Sequence, residues 1–339
     1  MKNILLLYFS GTGITSHYAS LICAGFDKRG YSCDLLDLEE LTDLPTLWQK
    51  KPVALNYTIN AEVKRPLSKY PWPYHDLKRA IRSAWENPLF SSFSEDWNKY
   101  DLIGFGSPVY AFRPAPVMIR FLLDLPIFNR PIRSFSFATH DGAQGDYEVF
   151  MQEILSRKGF SYVGHLDQSF IYSASVVMRN DFNHLSAGRL LQKKSRQAAE
   201  KVNIFLDYLE SLDSDYSYIY PGPGTVSKLV GLPYRLVYSY GIDLILNHFL
   251  FGYGINKDNC ILCMTCVNQC PQGLIEIDDD GYPIRLYHCM YCLRCLNWCP
   301  TNALYFSAAT KDKARFSGLE VLEEAVKQHH LDYKAQRSQ

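Results

Sequence analysis

Short apolar runs recur through the first half of the chain, with segments of helical character between them. The first run, Ile4–Phe9, is almost wholly apolar, and the segment 15–28 after it has the mixed composition of an amphipathic helix. Further strand-like runs span 31–38, 101–105, 132–139 and 162–168. Strands that alternate with helices form parallel sheets with helices on both faces. The pattern therefore predicts an α/β domain with a doubly wound, five-stranded parallel sheet.

The remaining segments predict how this domain is bounded. Residues 183–212 have the pattern of a long amphipathic helix that closes a domain spanning 1–212. An insertion at 39–98, rich in Trp, Tyr and Pro, interrupts that domain. It is either a functional lid or docking surface, or a segment whose aromatic residues only pack against the sheet edge. Residues 213–253 form an apolar connector, and residues 309–339 are expected to be a C-terminal helix and tail.

Eight of the ten cysteines form one pattern that occurs twice, at a constant offset of 29 residues. The pattern is C-x2-C-x2-C-x3-C-P; its first copy contains Cys260, Cys263, Cys266 and Cys270, and its second contains Cys289, Cys292, Cys295 and Cys299. Apolar neighbours keep the same offset, for example Ile275 with Leu304. This duplicated register predicts metal binding. Interlocked runs of this kind suit iron–sulfur cubes better than tetrahedral zinc, the alternative for C-x2-C pairs.

Residues 254–308 resemble bacterial-type ferredoxins that carry two [4Fe–4S] clusters. In those proteins the fourth cysteine of each run serves the other cluster. The resemblance therefore implies two crossed ligand sets. One set is Cys260, Cys263, Cys266 and Cys299, and the other is Cys289, Cys292, Cys295 and Cys270.

A turn rich in glycine and hydroxyl groups follows the first strand and precedes the first helix. It consists of Ser10, Gly11, Thr12, Gly13, Ile14 and Thr15. Backbone N–H groups and the helix dipole at such a turn face an anion, and the hydroxyl groups add hydrogen bonds. The turn has neither the lysine of a P-loop nor the G-x-G-x-x-G of a dinucleotide fold. The sequence thus predicts a phosphate site that does not serve ATP or NAD.

The turn resembles the phosphate loop of flavodoxins, which bind FMN, and two later strand ends resemble the flavin-flanking segments of that family. The first, which resembles a flavin-flanking turn after the strand at 101–105, comprises Gly106, Ser107, Pro108, Val109 and Tyr110. The second comprises Thr139, His140, Asp141, Gly142, Ala143, Gln144 and Gly145. Ligands of flavodoxin-like folds lie at the carboxyl ends of the strands. The resemblance implies a bound FMN, with Tyr110 as the candidate to stack on the flavin ring.

The two halves together resemble flavodoxin–ferredoxin fusion proteins of anaerobic bacteria and archaea. The resemblance implies an electron-transfer protein that passes low-potential electrons between a ferredoxin-type donor and a partner oxidoreductase. A second hypothesis is an FMN-dependent reductase of a small molecule, with the clusters as its internal electron path and His140 and Asp141 as weak acid–base candidates. A third is an electron-transfer subunit of a larger redox complex. Whether the chain is itself an enzyme stays open at this point.

Charge and hydropathy narrow the range of partners. The balance of 35 basic and 35 acidic residues argues against an electrostatic nucleic-acid binder. No stretch reaches the length of a membrane span, and the apolar run at Ile4–Phe9 is too short for a signal peptide, so a cytoplasmic protein is expected. The apolar part of the connector, 225–253, is expected to hold the second domain against the first, against a second subunit in a homo-oligomer or complex, or at a membrane surface.

Overall fold

The computed structural model describes both predicted domains. The described residues are 2–41, 96–110, 113–129, 131–142, 144–170, 184–212, 253–271, 273, 275–285, 292–306, 310–311 and 315. Most of the predicted insertion, the connector up to residue 252 and nearly all of the predicted tail lie outside these residues. The proposed roles of those three segments therefore stay predictions.

Five parallel strands form the centre of the first domain. They are β1 (Asn3–Tyr8), β2 (Ser32–Asp37), β3 (Leu102–Tyr110), β5 (Ile132–His140) and β6 (Phe160–Ser169). Their order in the sheet is β2-β1-β3-β5-β6, and a short strand, β4 (Arg113–Pro114), pairs antiparallel with the end of β3. This order is that of flavodoxin-like folds, whose ligands bind where the strand order reverses, between β1 and β3. The predicted fold class is confirmed.

Helices cover both faces of the sheet. In the described residues they are α1 (Ile14–Lys28), α2 (Pro116–Asp124), α3 (Tyr147–Arg157) and α4 (His184–Ser211). β1 is apolar throughout because its alternate side chains point to opposite faces of the sheet, and helices cover both faces. Leu5 and Leu7 pack in the core with residues of α2 and α3, whereas Ile4 and Leu6 pack with residues of α1 and α4. No helix in the described part of the chain is long and apolar enough to cross a membrane.

The strands next to the predicted site are longer than the sequence suggested. Residues 106–110 were expected to form a turn, but β3 continues through Tyr110, and all of its residues are buried. The extension is stabilised at Ser107, whose N–H donates to the Tyr147 hydroxyl at 3.0 Å and whose Oγ accepts from the N–H of Ala115 at 3.1 Å. Because these buried polar groups have partners, the strand continues where the sequence pattern favours a turn.

The second domain repeats its own structure at the offset seen in the sequence. Its helices are α5 (Thr265–Asn268) and α6 (Arg294–Asn297), and its strands are β7 (Tyr253–Ile255), β8 (Ile275–Ile277), β9 (Pro283–Arg285) and β10 (Leu304–Phe306). β7 pairs with β10, and β8 pairs with β9 across a turn at residues 278–282. Met264 and Leu293, also 29 residues apart, both have left-handed backbone conformations, with φ of 57° and 58°. The domain is therefore a structural duplication.

Candidate functional site

The turn between β1 and α1 is closed by its own serine. Ser10 Oγ accepts hydrogen bonds from the N–H of Gly13 at 3.1 Å and of Ser16 at 3.2 Å. Gly13 has a φ of 92°, a left-handed conformation that glycine adopts without strain, and α1 begins at the next residue. Ser10 thus shapes the loop through its oxygen, while its hydroxyl proton stays available as a donor.

A hydroxyl pair connects this loop to the end of β5. Thr15 Oγ1 and Thr139 Oγ1 are 2.7 Å apart, and both side chains are buried. The predicted phosphate loop and the predicted second flanking segment are therefore held directly against each other.

An open depression of about 310 Å³ lies at the carboxyl ends of these strands. Its lining comprises Ser10, Gly11, Thr12, Ile14, Thr15, Pro108, Tyr110, Thr139, His140 and Phe170. All three predicted segments contribute to this lining. Phe170 was missed by sequence reasoning. It follows β6, which lies next to β5, so its position was open to prediction from the strand order.

Several predicted cofactor residues do not line the depression. Ser107 is fully buried and makes the hydrogen bonds described above, and Val109 belongs to the apolar core. Among the other described candidates, the lining does not include Gly13, Asp141, Gly142 or Gly145. Gly13, Gly142 and Gly145 all have positive φ angles, so glycine at these positions allows the backbone conformation of the turns. Ala143 lies outside the described residues.

His140 is a fixed group rather than a solvated one. Its Nδ1 accepts the N–H of Gly142 at 3.2 Å, so the proton is on Nε2, which donates to Asp167 Oδ2 at 3.0 Å. This hydrogen bond holds the pKa of Asp167 well below its usual range, with a further contribution from Lys201 at 3.6 Å. Of the two acid–base candidates named from the sequence, Asp141 is exposed, whereas His140 is buried and hydrogen-bonded to Asp167.

A second cavity, of about 360 Å³, lies in the ferredoxin-like domain. Its cysteine lining is Cys260, Cys263, Cys266 and Cys299, the first crossed set implied by the resemblance. Two of these sulfur atoms have further polar contacts. Cys299 Sγ accepts the N–H of Ala303 at 3.3 Å, and the Thr265 hydroxyl, 3.3 Å from Cys263 Sγ, lowers the pKa of that thiol. Hydrogen bonds to sulfur are one means by which a protein sets a cluster's potential.

Two cysteines of the second crossed set are more deeply buried than those of the first set, and one of the two contacts the first domain. Cys292 and Cys295 are each 7% exposed, and Cys270 is partly buried. Cys292 belongs to the apolar core that covers one face of the large sheet, whereas Cys295 packs in the core of its own domain. Cys289 lies outside the described residues. Cys292 therefore lies at the contact between the two domains.

Comparisons with known proteins agree with this two-part description. Residues 259–303 match the family model of the 4Fe–4S dicluster domain. Among solved structures, an archaeal flavodoxin shares 9% identity with a TM-score of 0.32, covering 61% of this chain and 99% of the flavodoxin. A Lactobacillus acidophilus flavoprotein in complex with FMN shares 21% identity with a TM-score of 0.28, covering 49% of this chain and 93% of that flavoprotein. A Synechocystis flavodiiron core shares 17% identity with a TM-score of 0.33, covering 62% of this chain but 37% of that protein. The comparison with curated proteins gives no match.

At these identities and TM-scores the structural neighbours add nothing to the fold assignment, which rests on the strand order. The chain combines a flavodoxin-like domain with a 4Fe–4S dicluster domain, as the sequence resemblance implied. The dicluster match confirms the predicted pair of [4Fe–4S] clusters, and the flavodoxin-like loops fit FMN. Both domain types are electron-transfer modules, so the chain has a general role in electron transfer.

Proposed function

We propose that this chain binds one FMN and two [4Fe–4S] clusters and passes low-potential electrons between a ferredoxin-type donor and a partner oxidoreductase. The observation that carries the proposal is the meeting of the three flavin-loop segments at one depression. We place the FMN domain at 1–212 and the cluster domain at 254–308. Thiolate-bound clusters persist under reducing conditions, so we place the protein in the cytoplasm.

The residues around the depression suit both ends of FMN. The phosphate fits at the start of α1, where backbone N–H groups, the helix dipole and the Thr12 hydroxyl favour an anion. The flavin ring fits against the aromatic side chains of Tyr110 and Phe170, which line the same depression. When bound, FMN supplies a centre that exchanges one or two electrons, and each cluster supplies a one-electron centre.

The cysteines suit two clusters with crossed ligands. Four cysteines around one cavity provide the four thiolates that a [4Fe–4S] cluster needs. We assign the first cluster to Cys260, Cys263, Cys266 and Cys299. We assign the second to Cys289, Cys292, Cys295 and Cys270, of which three belong to the described residues.

The site favours the carrier over the small-molecule reductase. A reductase needs a group that delivers a proton to its substrate, and His140 and Asp141 were the candidates for that group. The Nε2 proton of His140 is directed at Asp167, and its Nδ1 accepts a backbone N–H. The imidazole therefore stabilises the turn after β5. A depression open to solvent also suits electron exchange with a protein partner.

Replacement of Thr12 and Thr15 by valine is expected to weaken FMN binding by about tenfold or more. The change removes two hydroxyl groups from the phosphate loop, and hydrogen bonds to charged groups contribute about 1.5–3 kcal/mol each. The second change also breaks the contact between Thr15 and Thr139. The measurement is a titration of the cofactor-free protein with FMN, followed by quenching of flavin fluorescence.

Ser20→Ala is the matched control for this titration. It removes a hydroxyl group from the same helix, where Ser20 Oγ donates to the Ser16 carbonyl at 3.0 Å, away from the depression. Equal FMN affinity in the double valine variant and in the control would place the phosphate elsewhere and contradict the proposal.

A further inference from the structure

Arg294 reaches from the cluster domain into the phosphate loop. It lies between Cys292 and Cys295 in the second cysteine run, and it is 5% exposed. Its Nη2 donates to the carbonyl oxygen of Ser10 at 2.7 Å, and its Nε donates to the carbonyl oxygen of Gly11. One guanidinium group therefore fixes two successive peptide units of the loop, whose next residues begin the proposed phosphate site.

The same guanidinium is held from several sides. Its Nη2 lies 2.8 Å from the carboxylate of Glu39, just beyond β2, and its plane lies over the Trp298 ring at 4.9 Å from the ring centroid. Its Nη1 makes a long hydrogen bond of 3.5 Å to the carbonyl oxygen of Gln269, the neighbour of Cys270. A buried charge with this many partners is a rigid support, because breaking any contact leaves it poorly compensated.

The backbone of the loop also touches the cysteine run itself. A Cβ atom added at Gly11 would lie 3.2 Å from the Cβ atom of Cys292 and would overlap the Tyr110 hydroxyl. Glycine at position 11 thus allows the loop, the proposed flavin-stacking tyrosine and a proposed cluster ligand to meet without a gap. Cys292 and Arg294 of the second cysteine run therefore lie directly against the phosphate loop.

We propose that Arg294 is a positioning residue that couples FMN binding to assembly of the cluster held by the second cysteine run. The inference rests on the proposed function. A cysteine run without its cluster lacks the bonds that fix its conformation. The backbone that carries Arg294 is then less ordered, so the side chain no longer holds the phosphate loop in place. The phosphate must then order the loop itself, which weakens FMN binding. Linkage requires the converse: bound FMN stabilises that cluster by the same factor.

The test compares FMN affinity in the full chain with and without reconstituted clusters. FMN is titrated into both forms, with flavin fluorescence as the signal and iron content as the measure of loading. The wild-type protein is expected to bind FMN about tenfold more tightly when the clusters are present, because the loop is then held by charge-assisted hydrogen bonds. Arg294→Met is expected to weaken binding by about tenfold in the cluster-loaded form and to abolish the difference between the two forms.

Four further variants separate the positioning role of Arg294 from a general effect on stability. Arg294→Lys keeps the charge but cannot reach both carbonyl groups, so it is expected to retain part of the coupling. Lys257→Met removes a cation of the same domain that pairs with Asp280, away from the loop, and is expected to keep the full tenfold difference. Cys295→Ala, which lacks a ligand of the second cluster, is expected to weaken FMN binding more than Cys263→Ala, which lacks a ligand of the first.

The outcomes distinguish this inference from the proposed function. Equal FMN affinity of the cluster-free and cluster-loaded wild-type proteins would overturn the coupling and leave the electron-transfer proposal intact. No FMN binding by either form would overturn the proposed function. The wild-type comparison tests the coupling even where Arg294→Met fails to fold, and Arg294→Lys then tests the role of Arg294: an undiminished tenfold difference in either Arg294 variant would overturn that role.

Discussion

Cys299→Ala is expected to remove the cluster of the first cysteine run, although Cys299 belongs to the second run. The side chain lines the same cavity as Cys260, Cys263 and Cys266, so its loss leaves that cluster with three thiolates. Iron content should fall by about half, from about eight to about four atoms per chain, because the chain carries two [4Fe–4S] clusters. The measurement is iron analysis together with low-temperature EPR of the dithionite-reduced protein.

Comparison among variants identifies which cluster is lost. The EPR spectrum of Cys299→Ala should match that of Cys263→Ala, and the spectrum of Cys270→Ala should match that of Cys292→Ala. Cys33→Ala removes a thiol of the first domain and should retain both clusters, which makes it the matched control. A spectrum of Cys299→Ala that matches Cys292→Ala would show that each run holds its own cluster, contrary to the assignment.

Gly11→Ala is expected to abolish most FMN binding. The new Cβ atom overlaps the Tyr110 hydroxyl and comes within 3.2 Å of Cys292, so either the tyrosine ring or the cysteine run must move. Tyr110 is buried and lines the depression, and its displacement changes the surface proposed for the flavin ring. The expected loss is tenfold or more in FMN affinity, measured by fluorescence titration, since overpacking costs about 1–3 kcal/mol.

A second substitution tests the cause. Tyr110→Phe removes the hydroxyl that the Cβ atom meets, so Gly11→Ala combined with Tyr110→Phe should recover part of the affinity; the four-protein cycle measures this coupling. Gly30→Ala is the control, because Gly30 has a φ of 81° but a Cβ atom added there would meet nothing within 4 Å. It is expected to lower stability without changing FMN affinity. Additive effects in the cycle would contradict the steric account.

Local patterns in the sequence were sufficient to predict the fold and the segments that line the depression. The alternation of apolar runs with helices predicted the parallel sheet, and the 29-residue offset predicted the duplicated cluster domain, whose repeat extends to the paired left-handed residues Met264 and Leu293. The glycine and hydroxyl pattern after β1 predicted the loop that the structure places in the depression. These features depend on residues close together in the chain or on an exact repeat.

Contacts between distant segments were not predictable in this way. The contact between His140 and Asp167 depends on the register of β5 against β6, and the sequence pattern does not specify that register. The position of Arg294 depends on how two domains pack, and an arginine between two cysteines looks like an ordinary surface residue in the sequence. The turn expected at Gly106 became strand because Tyr147, forty residues from Ser107, satisfies its backbone N–H group.

The central claim, that one chain exchanges electrons among FMN and two clusters, is tested most directly by an anaerobic reductive titration of the reconstituted protein. Visible absorbance follows the flavin, and EPR follows the clusters. The account predicts uptake of about four electrons per chain, two by FMN and one by each cluster, with the flavin reduced in two separate one-electron steps that overlap cluster reduction. Uptake of about two electrons with no flavin change would contradict the account, and a single two-electron flavin step independent of the clusters would favour the reductase instead.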